Sequence, residues 1–279
     1  MKKVLAFDIG GTNMRLALIN ENLEIERVEI KPTVVGDPDA FMKNVCEMIA
    51  MFDLKDVVAI GAGVPGVVDR QKGLIINLPN VHIKNVEFGK IITEKFHFPV
   101  FLRNDAEVAC LGEAYSGAGK DFSRVFFITI STGLGGAMCV DNEFQDYITE
   151  IGHTLFMYKG EPREFSLVSG SYVKLLAEIN GLKIEKAAEL FDQYEAGDKK
   201  ATEVFNEWLM ILEKFIRLVV DSYSPDIIVF TGGFMNQKHL FFDKIIEMNP
   251  DVLIKECKYG TKAGLMGSAT FALKEMKII

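Results

Sequence analysis

A chain of 279 residues is longer than one small core organises and suits one large or two medium domains, of which two is the better fit. With 49% of its residues apolar and 25% charged, it has the composition of a folded globular protein, which excludes wholesale disorder. A net charge of -8 without any block of Lys and Arg excludes a general binder of nucleic acid or anionic membrane, so a polyanionic ligand would have to be met by fixed dipoles or a metal.

The N-terminal segment MKKVLAFDIGGTN carries a charged dipeptide and a short apolar run that ends in Asp8 and three breakers, which reads as a buried strand over residues 3–9 and not as a signal peptide. Residues 13–30 alternate as two further strands joined at Asn20-Glu21-Asn22, a β-meander and not a βαβ opening. Residues 38–52 place apolar side chains at 41, 45, 48, 49 and 52, the spacing of a helix. VVAIGAGVPG is a second buried strand ending in glycines, residues 67–76 form a hairpin turning near Gln71 to Gly73, and a helix over 87–96 and a strand over 99–103 follow. At Asn104-Asp105 the pattern turns helical. From the residues alone Asp105 is either a helix cap or a catalytic carboxylate.

The arrangement restarts at residue 125 with VFFITISTGLGGAMCV, again strand, glycine loop and strand. This short internal duplication implies two similar α/β halves facing one another, with a hinge near residue 105 because no linker separates them. Helices are expected near 169–180, 183–195, 198–222 and 262–275, with a strand over 226–230 ending in Thr231-Gly232-Gly233; the last helix crosses back to the first half. The four cysteines, Cys46, Cys110, Cys139 and Cys257, have no short spacing and read as reduced residues of a cytoplasmic protein. No window approaches the ~18 to 20 apolar residues that cross a bilayer.

Three strand-ending clusters, Gly10-Gly11-Thr12, Thr132-Gly133-Leu134-Gly135-Gly136 and Thr231-Gly232-Gly233, could present backbone N–H groups to phosphates with no Cβ in the way. Each alone is an ordinary tight turn; together they point to a nucleotide. Gly112 to Gly117 has only the outward spacing of a P-loop, within a helix. Gly61 to Gly66 satisfies G-x-G-x-x-G, but Pro65 and the following hairpin exclude the dinucleotide motif, which leaves backbone shaped for close approach by a different ligand.

With these segments in place, the chain resembles the ROK sugar kinases (repressor, open reading frame, kinase) of the actin and hexokinase-like ATPase superfamily over essentially its whole length. AFDIGGTNMRLAL resembles the first phosphate motif, FITISTGLGGAM the second, IIVFTGGFM the adenosine motif, and AGLMGSATFAL the terminal helix. GVPGVVD, RNDAEVACLGE and EIGH resemble the sugar-site segments. The resemblance implies an α/β fold of two actin/ribonuclease H-like lobes with a ligand cleft between them, residues 1–105 plus 263–279 forming one and 106–262 the other. It implies an ATP-dependent, Mg2+-requiring kinase acting on the primary 6-hydroxyl of an aldohexose, glucokinase-like. An N-acetylmannosamine or other N-acetylhexosamine kinase, a fructokinase or an allose kinase shares the same core.

The same resemblance assigns roles. Asp105 is the general base, Asn104 holds a sugar hydroxyl, Glu150 and His153 bind sugar hydroxyls, and Gly66 and Asn80 line the sugar pocket. Asp8 sits by the Mg2+-phosphate group. Gly10, Gly11, Thr12, Asn13, Ser131, Thr132, Gly133, Gly135 and Gly136 hold phosphates, and Gly232 and Gly233 the adenosine. Without the resemblance, Glu150 reads equally as a surface carboxylate and His153 as a core imidazole. In many members the matching His also ligates a structural zinc with three Cys. Here residues 156–170, FMYKGEPREFSLVSG, hold no cysteine, so no zinc is expected and His153 is a sugar ligand only. Counting back from Ser169-Gly170 puts a further sugar-binding Glu of the family on Phe165, and a one-residue gap restores it at Glu164. Sugar-responsive regulators of the family place a helix-turn-helix domain ahead of the first motif, where a strand starting at Lys3 leaves no room. The expected partners are a sugar and ATP, with no nucleic acid and no membrane; a homodimer is a family-level expectation.

Overall fold

A computed structural model of the chain describes residues 1–145 and 150–279. They form two compact units, Met1–Lys120 with Thr261–Ile279, and Asp121–Gly260.

In the first unit, β1 (Lys3–Ile9), β2 (Asn13–Asn20) and β3 (Ile25–Pro32) form the expected antiparallel meander. Helix α1 (Pro38–Ile49) follows, capped by Asp37, whose carboxylate accepts the Ala40 N–H at 2.9 Å. Next come β4 (Val57–Val64), a small antiparallel sheet of β5 (Val67–Asp69), β6 (Leu74–Leu78) and β7 (Ile83–Val86), then α2 (Phe88–Phe96), β8 (Val100–Asn104) and α3 (Asp105–Ser116). β4 lies parallel between β1 and β8, giving the order β3-β2-β1-β4-β8. β1 and β4 are nearly continuous apolar runs because both faces of the sheet are covered. Phe41, Val45 and Ile49 of α1 and Phe88 and Ile92 of α2 are buried with Leu5, Phe7 and Ile9 of β1.

In the second unit, β9 (Arg124–Ile130), β10 (Leu134–Val140) and β11 (Glu143–Phe144) repeat the meander. A hairpin of β12 (Leu155–Tyr158) and β13 (Glu161–Glu164) turns at Lys159-Gly160, both at positive φ as a two-residue hairpin turn requires. Helices α4 (Val173–Ile179), α5 (Ala187–Glu195) and α6 (Lys199–Tyr223) precede β14 (Ile227–Thr231), α7 (Lys238–Met248) and β15 (Leu253–Glu256). The order β11-β10-β9-β14-β15, with β14 parallel to both β9 and β15, matches the first sheet in sequence and polarity. The duplication seen in the glycine loops therefore extends to the whole sheet. α6 carries an apolar stripe at helical spacing, including Val204, Trp208, Ile211, Phe215 and Val219, and buries it with Phe126, Ile128, Ile228 and Phe230.

Several expected elements shift. The helix predicted over 169–180 begins only at Val173; ahead of it the Gly170 and Ser171 N–H groups donate to the Ser131 and Thr132 carbonyls at 2.8 and 3.0 Å. The helix predicted from 183 begins at Ala187. β7, the β12–β13 hairpin, α7 and β15 are absent from the sequence reading; the strands are too short to carry periodicity, whereas the 11-residue α7 does space its buried Phe241 and Ile245 one turn apart.

The chain returns to the first unit as α8 (Ala263–Glu275), and this return corrects two sequence expectations. α3 lies so close to α8 that a Cβ on Gly112 would stand 2.8 Å from the Gly267 nitrogen, and a Cβ on Gly267 would overlap the Val108 carbonyl oxygen. α3 thus belongs to the first unit, whose boundary falls at Lys120/Asp121 and not after residue 105. Gly61 and Gly63 of the G-x-G-x-x-G segment serve the same packing: a Cβ on Gly61 would overlap the Ser268 carbonyl, and one on Gly63 would lie 2.5 Å from Val108 Cγ2. They admit two helices and not a ligand. Ser268 Oγ then donates to the Phe7 carbonyl at 2.8 Å, fastening α8 to β1. No helix among the described residues is long and apolar enough to cross a membrane.

Because the atoms facing Gly267 are backbone and cannot give way, Gly267→Ala is expected to cost about 1 to 3 kcal/mol of stability. A lowered midpoint in urea unfolding, with unchanged slope, checks this.

Candidate functional site

The first-unit residues are built around the turn from β1 to β2. Gly10 N–H donates to the Asn13 carbonyl at 2.9 Å, while Thr33 donates its hydroxyl to the Gly10 carbonyl at 2.7 Å and its N–H to the Thr12 carbonyl at 2.9 Å. The hairpin register sets Asp8 opposite Arg15, and Asp8 Oδ2 receives Arg15 Nη1 at 2.9 Å. Asp8 is mostly buried. Burial raises its pKa above the ordinary aspartate value, and the hydrogen bond and charge of Arg15 oppose that rise without cancelling it. The first turn of α8 rests on the same carboxylate: a Cβ on Gly264 would stand 2.5 Å from Asp8 Oδ1.

At the end of β8 the two readings of Asp105 separate. Asn104 is the N-cap of α3: its Oδ1 accepts the Ala106 and Glu107 N–H groups at 2.9 and 3.4 Å, and its Nδ2 donates to the Gly66 carbonyl at 3.2 Å. Asp105 is the first helical residue, with Oδ1 also receiving the Ala106 N–H at 2.9 Å. The cap reading of Asp105 is thereby corrected to Asn104. Gly66, at φ +95°, is obliged to be glycine because a Cβ would overlap the Asn77 carbonyl and stand 2.8 Å from Pro79 Cδ. Pro79 opens a 3-10 turn, Pro79–Val81, and Asn80 Cβ in that turn lies 3.3 Å from where a Gly11 Cβ would be. Asn80 thus stands beside Gly11, its neighbour Pro79 beside Gly66, and Gly66 is bonded to Asn104.

The second unit holds the other two glycine loops and the E-x-x-H turn. Ser131 N–H donates to the Gly133 carbonyl at 2.9 Å, and residues 170 and 171 brace the loop from outside. Gly232, at φ +104°, packs so tightly on β9 that a Cβ would overlap the Ile130 carbonyl. Gly135 and Gly136, expected at the phosphates, are accounted for by packing within the unit, against Thr129 Cγ2 at 3.0 Å and Ile151 Cγ2 at 2.9 Å. Gly133 and Gly233 differ: a Cβ on either would meet nothing within 4 Å, and neither has positive φ. Neither packing nor backbone conformation demands glycine there, so both leave unobstructed backbone where a ligand can approach.

His153 closes a 3-10 turn, Ile151–His153, entered through Glu150 at φ 53°. Its Nδ1 lies 2.8 Å from Glu164 Oε2 and its Nε2 3.6 Å from Glu150 Oε2. Phe165, the ungapped alternative to Glu164, is buried and stacks on Phe156 with ring centroids 4.5 Å apart. Among the described residues, no group of three or more His, Cys, Asp or Glu is arranged to hold a metal.

Arg15, Gly264, Thr33 and the brace at residues 169–171 were not identified as site residues from sequence. Only Arg15 left a usable trace, since counting outward from the β1–β2 turn pairs it with Asp8.

The sequence matches the ROK family over residues 4–275. The chain belongs to the ROK family. It is 25% identical over 299 residues to an N-acetyl-D-glucosamine kinase of Aliivibrio salmonicida, covering 96% of this chain and 99% of that one. The fold is similar to that of a ROK hexokinase from Thermus thermophilus, with TM-score 0.87 at 23% identity and 99% of each chain covered. It is also similar to a ROK family glucokinase from Streptomyces griseus in complex with glucose and AMPPNP, with TM-score 0.78 at 22% identity and 98% and 99% covered.

For this ROK chain the raised Asp8 pKa carries a stability consequence. A folded-state pKa above the unfolded one means that the charged group destabilises the fold at pH values above the folded pKa, and that the penalty fades as pH falls toward the ordinary aspartate value of about 3.9. Asp8→Asn is therefore expected to melt above the parent at pH 7, losing only an ion pair to a partly exposed Arg15, and the gap should close as the medium is acidified. Melting curves of both proteins across that range check the sign.

Proposed function

We propose that the chain is an ATP-dependent hexose kinase that moves the γ-phosphoryl group to the primary 6-hydroxyl of an aldohexose, with Asp105 accepting the hydroxyl proton. One observation carries this reading: Asn104 takes the capping hydrogen bonds of α3, so the Asp105 carboxylate beside it is not required as the N-cap. Phosphoryl transfer needs positioning, charge neutralisation and one such carboxylate. Asn104, Gly66 and Asn80 of the first unit are its candidate sugar residues, and Glu150 and His153 of the second unit are candidate hydroxyl partners. The sugar kinases among the relatives support the same class.

For ATP, Gly133 and Gly233 offer open backbone suited to phosphate and adenosine, with Ser131, Thr132 and Gly232 shaping their loops, while Gly10, Gly11, Thr12 and Asn13 form the candidate phosphate loop of the first unit. Asp8 would hold Mg2+ beside the first loop, the usual economy of a site in which nucleotide oxygens supply most ligands. Mg2+ neutralises charge on the phosphates. Arg15 keeps the Asp8 carboxylate oriented, and Gly264 leaves room for it. Glucose is the first sugar to test, and N-acetyl-D-glucosamine is the second, favoured by the Aliivibrio relative.

Asp105→Asn should lower kcat in an ADP-release assay by roughly 10²- to 10⁴-fold while sugar binding, followed by calorimetry, persists. A variant that keeps most of its turnover would sink the assignment. Gly233→Ala should leave the melting temperature unchanged, since its Cβ meets nothing, yet raise the KM for ATP about tenfold, the equivalent of about 1.4 kcal/mol.

A further inference from the structure

Resting on the kinase reading above, we infer that Glu164 is a positioning residue, which acts on the sugar through His153 by fixing the tautomer of its imidazole. Glu164 ends β13, where register pairs it with Leu155 and so returns it to the turn carrying His153. Two buried anchors hold that return: Phe165 N–H donates to the Thr154 carbonyl at 3.1 Å, and Ser166 Oγ donates to the Gly152 carbonyl at 2.8 Å. The turn itself has no slack, because a Cβ on Gly152 would overlap the Leu134 carbonyl. The backbone of His153 is therefore set, and the remaining freedom lies in its ring.

Glu164 removes that freedom. A carboxylate only accepts hydrogen bonds, so the 2.8 Å contact with Nδ1 requires the proton to sit on Nδ1. In the neutral ring Nε2 is then an acceptor. Glu150 Oε2, 3.6 Å away, lies beyond hydrogen-bond distance of it. Two acceptors thus flank one opening, and what joins them is a donor from outside. The three side chains are 41%, 55% and 61% exposed for Glu164, His153 and Glu150, which leaves the opening accessible to a ligand. A sugar hydroxyl, which donates one proton and accepts others, matches this pair, and the opposite tautomer would turn Nε2 into a donor and close it onto Glu150.

The test reads the ring directly. In sugar-free protein with 15N-labelled histidine, long-range 1H–15N correlation spectra should show His153 in the Nδ1–H form. Glu164→Ala should shift it toward Nε2–H and raise the sugar KM roughly tenfold with kcat little changed. Glu164→Gln, whose amide can accept from Nδ1–H or donate to a bare Nδ1, should loosen the tautomer and raise the KM in proportion. An Nε2–H ring in the parent overturns the inference, as does an Ala variant with unaltered KM. A Gln variant that keeps the Nδ1–H form yet loses as much KM as Ala also overturns it, because the carboxylate charge would then be meeting the sugar itself. The spectrum needs no turnover, so it judges the tautomer even if the panel of sugars defeats the kinase reading.

Discussion

The close passage of α3, α8 and β4 is the constraint on which the first unit depends. Gly61, Gly63, Gly112 and Gly267 give the three elements backbone-to-backbone contact, and larger side chains would push them apart. Asp105 opens α3 and the contact with Asp8 opens α8, so the same packing that closes the core places both carboxylates. Ser268 bonded to the Phe7 carbonyl, one residue before Asp8, ties the helix to the strand carrying the first of them.

Asp8 shows the cost of that arrangement. Its carboxylate is drawn out of water beneath Gly264 and retained by one guanidinium at 2.9 Å, and burial prevails in its titration. A buried charge that is only partly compensated destabilises a fold. It is tolerable where a further cation completes its neutralisation, as the proposed Mg2+-nucleotide would. The contrast among the glycines has the same logic. Many are held by neighbouring atoms or by a positive φ, whereas Gly133 and Gly233 face open space at an ordinary φ, so neither packing nor backbone conformation requires glycine there.

The second unit repeats the sheet of the first in order and polarity, but its connections differ. Where the first unit places a small three-stranded sheet after β4, the second places the β12–β13 hairpin after its meander and fills the core with α6. That hairpin brings Glu164 to His153, and its four-residue strands, LFMY and EPRE, are too short to carry a periodic signal, so nothing in its residues alone announced the contact.

Periodicity and turn chemistry in the sequence alone determined the first meander, the β9–β10 strand pair, the glycine loops, most helices and the duplication, because these follow from local alternation and from residues that tolerate few backbone conformations. Family resemblance pointed to Asp105, Asn104, Glu150 and His153 as candidate site residues. Only the tertiary structure decided that Asn104 and not Asp105 caps α3, that Gly61 and Gly63 serve helices, that the unit boundary lies at Lys120, and that Glu164 and not Phe165 faces His153. Each of these depends on atoms brought together from distant positions or on which of two adjacent side chains turns inward, and neither is encoded in a local pattern.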